Sequence, residues 1–347
     1  MTQHPDYHVV SSTPNILGEG PIWDPRSEAF LWVDAYRRGF FSVPVGDGGI
    51  GTPQFHPTGL FTIGITALGR EAGRYLIAGA DGLYEYTTRD ASPDGAKRVA
   101  DAPFARISQE YGTPRRSVPS RGTAPVPNAL PPATAGTHRF NDVIAAPDGS
   151  YLAGMMPWNP GAGAYNDGGG ALVRYTRRDR VALVLPNPAT PDLPKPRLPN
   201  GMGFSPDGRW FYWTDTLRKT IYRFPYDAGT IGAPEAFIVS TDQPGAPDGM
   251  TVALDGSILS ARWGGRCVDH YNPDGTLRTR YAVPMRQPSS VAFGGSDLGL
   301  LFVTSATEGM APGEALPEDG ITITLDIGQT GRAEFSLPDH FLGTDRF

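Results

Sequence analysis

The sequence predicts an all-β protein, a six-bladed β-propeller, and two observations carry this prediction. First, short aromatic or β-branched runs alternate with turns rich in Gly, Asp and Pro, as at 29–33, 75–78 and 210–214. Second, the runs are organised as repeats around Asp-Gly pairs. The pairs lie 59 residues apart (148 to 207) and 48 residues apart (207 to 255), and a repeat of roughly 40–50 residues with several strands is typical of a propeller blade.

The Asp-Gly pairs at 148–149, 207–208 and 255–256 have similar surroundings. An apolar run precedes each pair and a strand-like run follows it. Because Asp and Gly both tolerate positive φ, we expect each pair to form a two-residue hairpin turn.

The chain of 347 residues, less its insertions, accommodates about six such repeats. The run at 7–10 is expected to close the ring by pairing with the last blade, which would hide sheet edges. We therefore predict a single propeller domain over 1–347. It carries an insertion at 101–137 whose Pro-rich part, 112–136, is either a lid or a disordered loop. The blades are predicted at 16–55, 60–100, 138–186, 198–242, 246–284 and 287–335.

Composition argues against several classes of protein. The net charge is −6 and no long basic run occurs, so nucleic acid is not an expected partner. No apolar stretch approaches the about 18 residues of a membrane span, and the polar N-terminus lacks the apolar core of a signal peptide, which favours the cytoplasm. The single cysteine, Cys267, excludes a disulfide framework and is expected to be buried in a strand. A monomer or a small homo-oligomer is expected.

Four polar side chains stand directly ahead of apolar runs that we expect to be innermost strands: Glu19, Asn141, Asn200 and Asp248. The innermost strands of a propeller line its central channel, so their starts converge at one mouth. All four side chains offer oxygen atoms, which suit a hard divalent cation such as Ca²⁺, Mg²⁺ or Mn²⁺, whereas Zn²⁺ and Fe²⁺ are less typical. Asn-Gly and Asp-Gly are also common turn pairs, so 200–201 and 248–249 could instead be turns.

Taken in order, these motifs resemble those of the gluconolactonase/regucalcin family, the senescence-marker-protein-like lactonases, which are six-bladed propellers. The resemblance covers roughly residues 15–310; any one tetrapeptide is weak, whereas the ordered set is specific. The matching motifs are Gly18-Glu19-Gly20-Pro21, Arg139-Phe140-Asn141-Asp142, Pro199-Asn200-Gly201, Pro247-Asp248-Gly249 and Pro288-Ser289-Ser290-Val291.

This resemblance implies a function and a role for each residue. The implied enzyme is a metal-dependent lactonase, a carboxylic ester hydrolase that opens a sugar lactone or related cyclic ester with metal-activated water. Glu19, Asn200 and Asp248 would bind one divalent ion (Ca, Zn, Mn, Mg or Fe), and Asp248 would also be the catalytic base. Arg139 and Asn141 would bind the small-molecule lactone or ester.

One departure from the family pattern bears on the substrate. Family sugar lactonases often carry an acidic residue a few positions beyond the Gly-Thr-Met that follows the third-blade turn. Here the stretch 154–159 contains no carboxylate and includes Met155, Met156 and Trp158. A more apolar wall mildly favours an alternative function, a phosphotriesterase or arylesterase using the same site. The other alternative is a non-catalytic metal-binding propeller, because the fold alone does not decide function.

Overall fold

The computed structural model describes residues 2–90, 95–102, 138–157, 169–185 and 195–343. Its strands form six sheets of four or five strands each, which confirms the predicted six-bladed propeller. In the described part of the chain the helices are three short 3-10 helices, and none is long and apolar enough to cross a membrane. The predicted Pro-rich insertion falls outside the described residues, except for the last residue of a strand and its neighbour at 101–102.

The N-terminal strands are β1 (Thr2–Gln3) and β2 (Tyr7–Ser11). Blade 1 contains β3 (Gly18–Asp24), β4 (Ala29–Asp34), β5 (Gly39–Gly46), β6 (Gly49–Ile50) and β7 (Gln54–Pro57), and blade 2 contains β8 (Thr62–Ala67), β9 (Arg74–Gly79), β10 (Gly82–Thr87) and β11 (Lys97–Asp101). Blade 3 contains β12 (His138–Ala145), β13 (Tyr151–Pro157), β14 (Ala171–Arg177) and β15 (Arg180–Leu185).

Blade 4 contains β16 (Pro199–Phe204), β17 (Trp210–Asp215), β18 (Thr220–Asp227), β19 (Thr230–Ile231) and β20 (Glu235–Val239). Blade 5 contains β21 (Ala246–Val252), β22 (Ile258–Trp263), β23 (Cys267–Tyr271) and β24 (Leu277–Ala282), and blade 6 contains β25 (Pro288–Gly294), β26 (Leu300–Ser305) and β27 (Thr322–Asp326). The 3-10 helices are Thr88–Asp90, Thr216–Arg218 and Asp339–Leu342.

The N-terminal segment closes the ring as predicted, and it adds strands to two blades. β2 pairs antiparallel with β27 of blade 6, where Tyr7 lies opposite Leu325. β1 pairs in parallel with β24 of blade 5, where Thr2 lies opposite Arg280. Both blades thereby gain a partner for an outer edge that would otherwise be open to pairing with another chain.

The hydrophobic core lies between neighbouring blades. The sheet faces of blades 3 and 4 share one cluster, in which Leu152 and Leu172 of blade 3 pack with Phe211 and Phe224 of blade 4, all fully buried. Strand residues alternate between the two faces of a sheet, so each blade is apolar on both faces and packs on two neighbours. Cys267 is buried in β23, as predicted.

The Asp-Gly pairs form hairpin loops, but the predicted two-residue turns are wrong. The backbone N–H of Ala146 donates to the Ser150 carbonyl (2.8 Å) and that of Gly149 to the Ala146 carbonyl (3.0 Å), so the loop spans 147–149. Only the glycine adopts positive φ, 79°. Asp148 instead accepts a hydrogen bond from the Ser150 hydroxyl (2.7 Å), because an Asp side chain in such a loop bonds the residue two positions on.

A strap formed by residues 327–343 crosses the end of the propeller at which the innermost strands finish. It contacts blade 5, where Leu254 N–H donates to the Thr330 carbonyl (2.8 Å), and blade 2, where Leu337 N–H donates to the Ala67 carbonyl (2.9 Å). Phe341 of the strap is fully buried. A cavity of about 120 Å³ lies in the channel between the strap and the starts of the innermost strands. The candidate residues stand at the starts of the innermost strands, so the candidate site faces the end of the propeller opposite to the strap.

Candidate active site

All six innermost strands break register with their neighbours near their starts. At each break an extra residue forms a β-bulge, which re-aims nearby side chains. Glu19 and Asn200 stand just before the bulges of β3 and β16, and Asn141 and Asp248 lie within those of β12 and β21. Each of the four predicted residues therefore lies at or next to the bulge of its own innermost strand. At the bulges of β8 and β25 the corresponding residues are Thr62 and Ile63, and Pro288 and Ser289. None of these side chains offers a carboxylate or amide oxygen.

The alternative that 200–201 and 248–249 are turns is wrong. Both pairs lie within innermost strands, and neither glycine has positive φ. The glycines are needed because neighbouring strands approach closely: a Cβ on Gly201 would lie 2.5 Å from the Asp248 carbonyl oxygen. A Cβ on Gly249 would overlap the side chain of Ser290 in blade 6.

Two of the predicted residues are in direct contact. The Asn141 amide Nδ2 donates to Asn200 Oδ1 (2.5 Å) and to the Pro199 carbonyl (2.7 Å). The Asn200 amide Nδ2 donates to the Thr216 hydroxyl (2.8 Å), which leaves the Asn200 oxygen as the acceptor on the side of Asn141. This amide orientation is assigned from the hydrogen-bond network. Thr216 was not predicted from the sequence, because its role depends on a contact between β16 and the 3-10 helix that follows β17.

Arg139 is buried beside Asn141 with part of its guanidinium unpaired. Nη1 donates to the Phe140 carbonyl (2.8 Å) and to Asn141 Oδ1 (2.7 Å), and Cζ lies 5.7 Å from the centre of the Phe61 ring. Nε is buried and has no hydrogen-bond partner among the described residues, and the residue as a whole is only 6% exposed. A buried donor without a partner is costly, so a ligand oxygen is a fitting acceptor.

The carboxylates of Glu19 and Asp248 share one low-dielectric environment. Burial raises the pKa of Glu19 well above its usual value, and the negative charges of Asp248 and Asp142 raise it further. Burial also raises the pKa of Asp248, with further contributions from the charges of Asp142 and Glu308. Within the described ranges no basic side chain pairs with either carboxylate. Ionisation of both carboxylates is therefore unfavourable, and a bound cation would relieve the repulsion.

The donor set fits a hard cation, although metal binding stays a prediction. Among the residues described by the structure, no group of three or more His, Cys, Asp and Glu side chains could hold a metal ion. The candidate set is instead mixed, with carboxylates from Glu19 and Asp248 and an amide oxygen from Asn200. Oxygen donors of this kind suit Ca²⁺, Mg²⁺ or Mn²⁺.

Asp142 and Glu308 were missed as charged groups near the site. Asp142 follows Asn141 in the same bulge, and burial, with a smaller contribution from the charge of Glu334 in the strap, raises its pKa to about 7. Glu308 accepts a hydrogen bond from the Tyr36 hydroxyl (2.6 Å) across 272 positions of sequence. No local pattern could have revealed that pair.

The predicted apolar wall is only partly described. Met155 is fully buried and belongs to the core cluster that contains Phe140 and Tyr175, so it packs between sheets and does not line the mouth. Trp158 lies outside the described residues, as does the whole segment 112–136.

Comparisons with known proteins agree with this architecture. The family model described as the SMP-30/Gluconolactonase/LRE-like region matches residues 17–307. The chain is 33% identical to pentonolactonase XacC of Haloferax volcanii over 335 residues, 94% of this chain and 96% of that protein. It is 31% identical to L-arabinolactonase of Azospirillum brasilense, over 97% and 96% of the two chains. The crystal structure of a calcium-binding protein, regucalcin, from Agrobacterium tumefaciens superimposes with a TM-score of 0.76 at 27% identity, covering 97% of this chain and 99% of that one. The chain therefore belongs to the SMP-30/gluconolactonase/LRE-like family.

Proposed function

We propose that the protein is a metal-dependent lactonase that opens a sugar lactone by attack of water on its carbonyl carbon. The observation that supports this proposal is that Glu19, Asn141, Asn200 and Asp248 lie at or beside the β-bulges of four innermost strands. There Asn141 hydrogen-bonds Asn200 and Arg139, and the charge of Asp248 acts on Glu19. The relatives named pentonolactonase and L-arabinolactonase, which align over almost their whole length, support lactones as the substrate class.

Glu19, Asn200 and Asp248 would hold one divalent ion. When bound, the ion supplies Lewis-acid stabilisation of the negative charge on the carbonyl oxygen and lowers the pKa of water. Calcium fits the three oxygen donors, and the name of the similar Agrobacterium protein describes it as calcium-binding. Zn, Mn, Mg and Fe remain the other candidates for the ion.

The chain's own residues would orient the substrate and move a proton. Arg139 would donate from Nε to a lactone oxygen, because this buried donor has no acceptor among the described residues. Asn141 links Arg139 to Asn200 through hydrogen bonds at both ends of its amide, so the two substrate-binding side chains keep a fixed geometry. Asp248 would accept the proton of the attacking water as general base.

The test uses metal-stripped protein and a panel of five- and six-membered lactones, with each ion added back separately. Asp248→Asn, which keeps the size of the side chain, is compared with Asp274→Asn, a change in an exposed turn of the same blade. We expect metal-dependent opening of a sugar lactone that Asp248→Asn abolishes and Asp274→Asn preserves. Turnover of aryl esters or phosphotriesters alone would favour the arylesterase or phosphotriesterase alternative, and ion binding without any turnover would favour a non-catalytic metal-binding propeller.

A further inference from the structure

We infer that Glu308 is a substrate-binding residue that accepts hydrogen bonds from the ring hydroxyls of the lactone at the rim of the pocket. The residue would make the enzyme selective for neutral, polyhydroxylated lactones over lactones without hydroxyls. This inference rests on the proposed function and names the substrate class that the site recognises.

The fold places Glu308 at the mouth of the channel. β26 ends at Ser305, and Ala306 then forms a β-bridge with Leu17, two residues before Glu19. The Thr307 N–H donates to the carbonyl of Asn15 (3.2 Å), so the chain stays against the entry to β3. The starts of the innermost strands form the mouth, so Glu308 follows at the rim, on the side where Glu19 lies.

Both ends of Glu308 are held. Its backbone carbonyl accepts a hydrogen bond from the Gln287 amide (3.0 Å), and its Oε1 accepts one from the Tyr36 hydroxyl (2.6 Å). A side chain fixed in this way loses little further freedom when it binds a ligand. The residue is only partly buried, so it stays within reach of solvent.

Glu308 continues a wall that leads to Arg139. The Tyr36 ring meets the Phe61 ring edge-on, with 5.0 Å between centres and 89° between planes. The guanidinium Cζ of Arg139 lies 5.7 Å from the centre of the same Phe61 ring. A charged acceptor and a charged donor therefore stand at the two ends of an aromatic wall. A ring with a carbonyl group and several hydroxyls presents the complementary groups.

The negative charge of Glu308 lies in an electrostatically unfavourable position. Among the described residues no basic side chain forms an ion pair with it, while its negative charge acts on Glu19 and Asp248. With Glu19, Asp248 and Asp142 already present, the carboxylate of Glu308 is a fourth, and it adds repulsion to an acidic site. Hydroxyl donors bind a charged acceptor more strongly than a neutral one, and they bring no second negative charge.

The test compares Glu308→Gln with Glu314→Gln, an isosteric change in the exposed loop that follows β26. Metal-loaded enzymes are assayed on pentono- and hexonolactones and on γ-butyrolactone and δ-valerolactone, which lack hydroxyls. Losing a hydrogen bond to a charged group should raise KM for the hydroxylated lactones about 10- to 100-fold in Glu308→Gln. KM for the unsubstituted lactones and all constants of Glu314→Gln should stay within about threefold of wild type. Equal losses on both substrate classes, or no loss on either, would overturn the inference.

A binding measurement separates the failure of this inference from the failure of the proposed function. A polyhydroxylated lactam, which resists hydrolysis, is titrated calorimetrically into wild type and Glu308→Gln. The inference expects about 10-fold or greater weakening in the variant. If wild type opens sugar lactones but both proteins bind the lactam equally, only the assignment of Glu308 fails. If wild type neither opens any lactone nor binds the lactam, the proposed function fails and the inference with it.

Discussion

Replacing Gly201 by Ala should damage the candidate site more than it damages the fold. The added methyl would lie 2.5 Å from the Asp248 carbonyl oxygen and 2.6 Å from Met250 Cγ. Ordinary contact begins at 3.4 Å, so β16 and β21 must separate by roughly 0.9 Å (3.4 minus 2.5) at the residue proposed as general base.

The expected magnitudes follow from this displacement. Overpacking of a well-packed interior typically costs about 1–3 kcal/mol of unfolding free energy. A misplacement of about 1 Å in a catalytic group can lower the rate about 100-fold. We therefore expect kcat/KM for the preferred lactone to fall about 100-fold in Gly201→Ala, while the protein stays folded.

Gly203→Ala is the matched control, because Gly203 lies two residues further along the same strand. Its added methyl would meet Val252 Cγ2 at 2.7 Å and Met250 Cε at 3.4 Å, which are ends of side chains and lie beyond the site. We expect a similar loss of stability in urea unfolding and a kcat/KM within about threefold of wild type. A Gly201→Ala enzyme with wild-type kcat/KM, or equal losses of activity in the two variants, would refute the reasoning that β16 positions Asp248.

Three further predictions concern separate parts of the molecule. Thr216→Val removes the hydroxyl that holds the Asn200 amide and should weaken divalent-ion binding about 10- to 100-fold in calorimetric titration; unchanged affinity would contradict this role. Burial lowers the pKa of His270 to about 4, whereas the same imidazole in the unfolded chain has a pKa near 6.5. Between pH 4 and 6.5 the unfolded chain therefore binds more protons than the folded one, and the free energy of unfolding decreases as the pH falls through that window. His270→Gln should flatten this part of the curve of urea midpoint against pH, whereas curves parallel to wild type would count against it. Phe341→Ala in the strap should cost about 3–5 kcal/mol of unfolding free energy, because the buried ring packs on Tyr151. The strap lies at the end remote from the site, so kcat should stay unchanged. A kcat that falls together with stability would show coupling between the two ends.

The fold could be predicted because its blades appear in the sequence as repeats of strand-like runs and turns. Asp-Gly loops in blades 3, 4 and 5 marked the repeat, and the apolar run at 7–10 supplied the closing strand. β1 could not be foreseen, because a two-residue strand leaves no periodic pattern. The turn type was wrong for a physical reason: the Asp148 side chain hydrogen-bonds Ser150 in a longer loop, and only Gly149 needs positive φ.

The candidate site could be predicted only as a set of strand starts. Glu19, Asn141, Asn200 and Asp248 all stand near the starts of innermost strands, and each lies at or next to the bulge of its strand. The only sequence feature of these bulges is a small residue such as Gly201. A glycine is required there because the neighbouring strand approaches too closely for a side chain. Groups that reach the site from loops, such as Glu308, depend on contacts between distant blades and were missed.

Most of the features that the sequence did not predict depend on contacts between residues that are far apart in the chain. The strap is one case, because residues 327–343 show neither helical nor strand periodicity, yet their backbone bonds to blades 2, 3 and 5. Tyr36 is another, because it looks like an ordinary aromatic residue until its hydroxyl is seen on Glu308.

Binding of one divalent ion by Glu19, Asn200 and Asp248 at the mouth of the channel is the central prediction for this protein. The most direct test is the stoichiometry and affinity of ion binding to metal-stripped protein, for wild type and for Glu19→Gln, Asn200→Ala and Asp248→Asn. We expect one high-affinity ion per wild-type chain and a large loss of affinity in each variant. An ion bound with wild-type affinity by all three variants would place the metal elsewhere and contradict the claim.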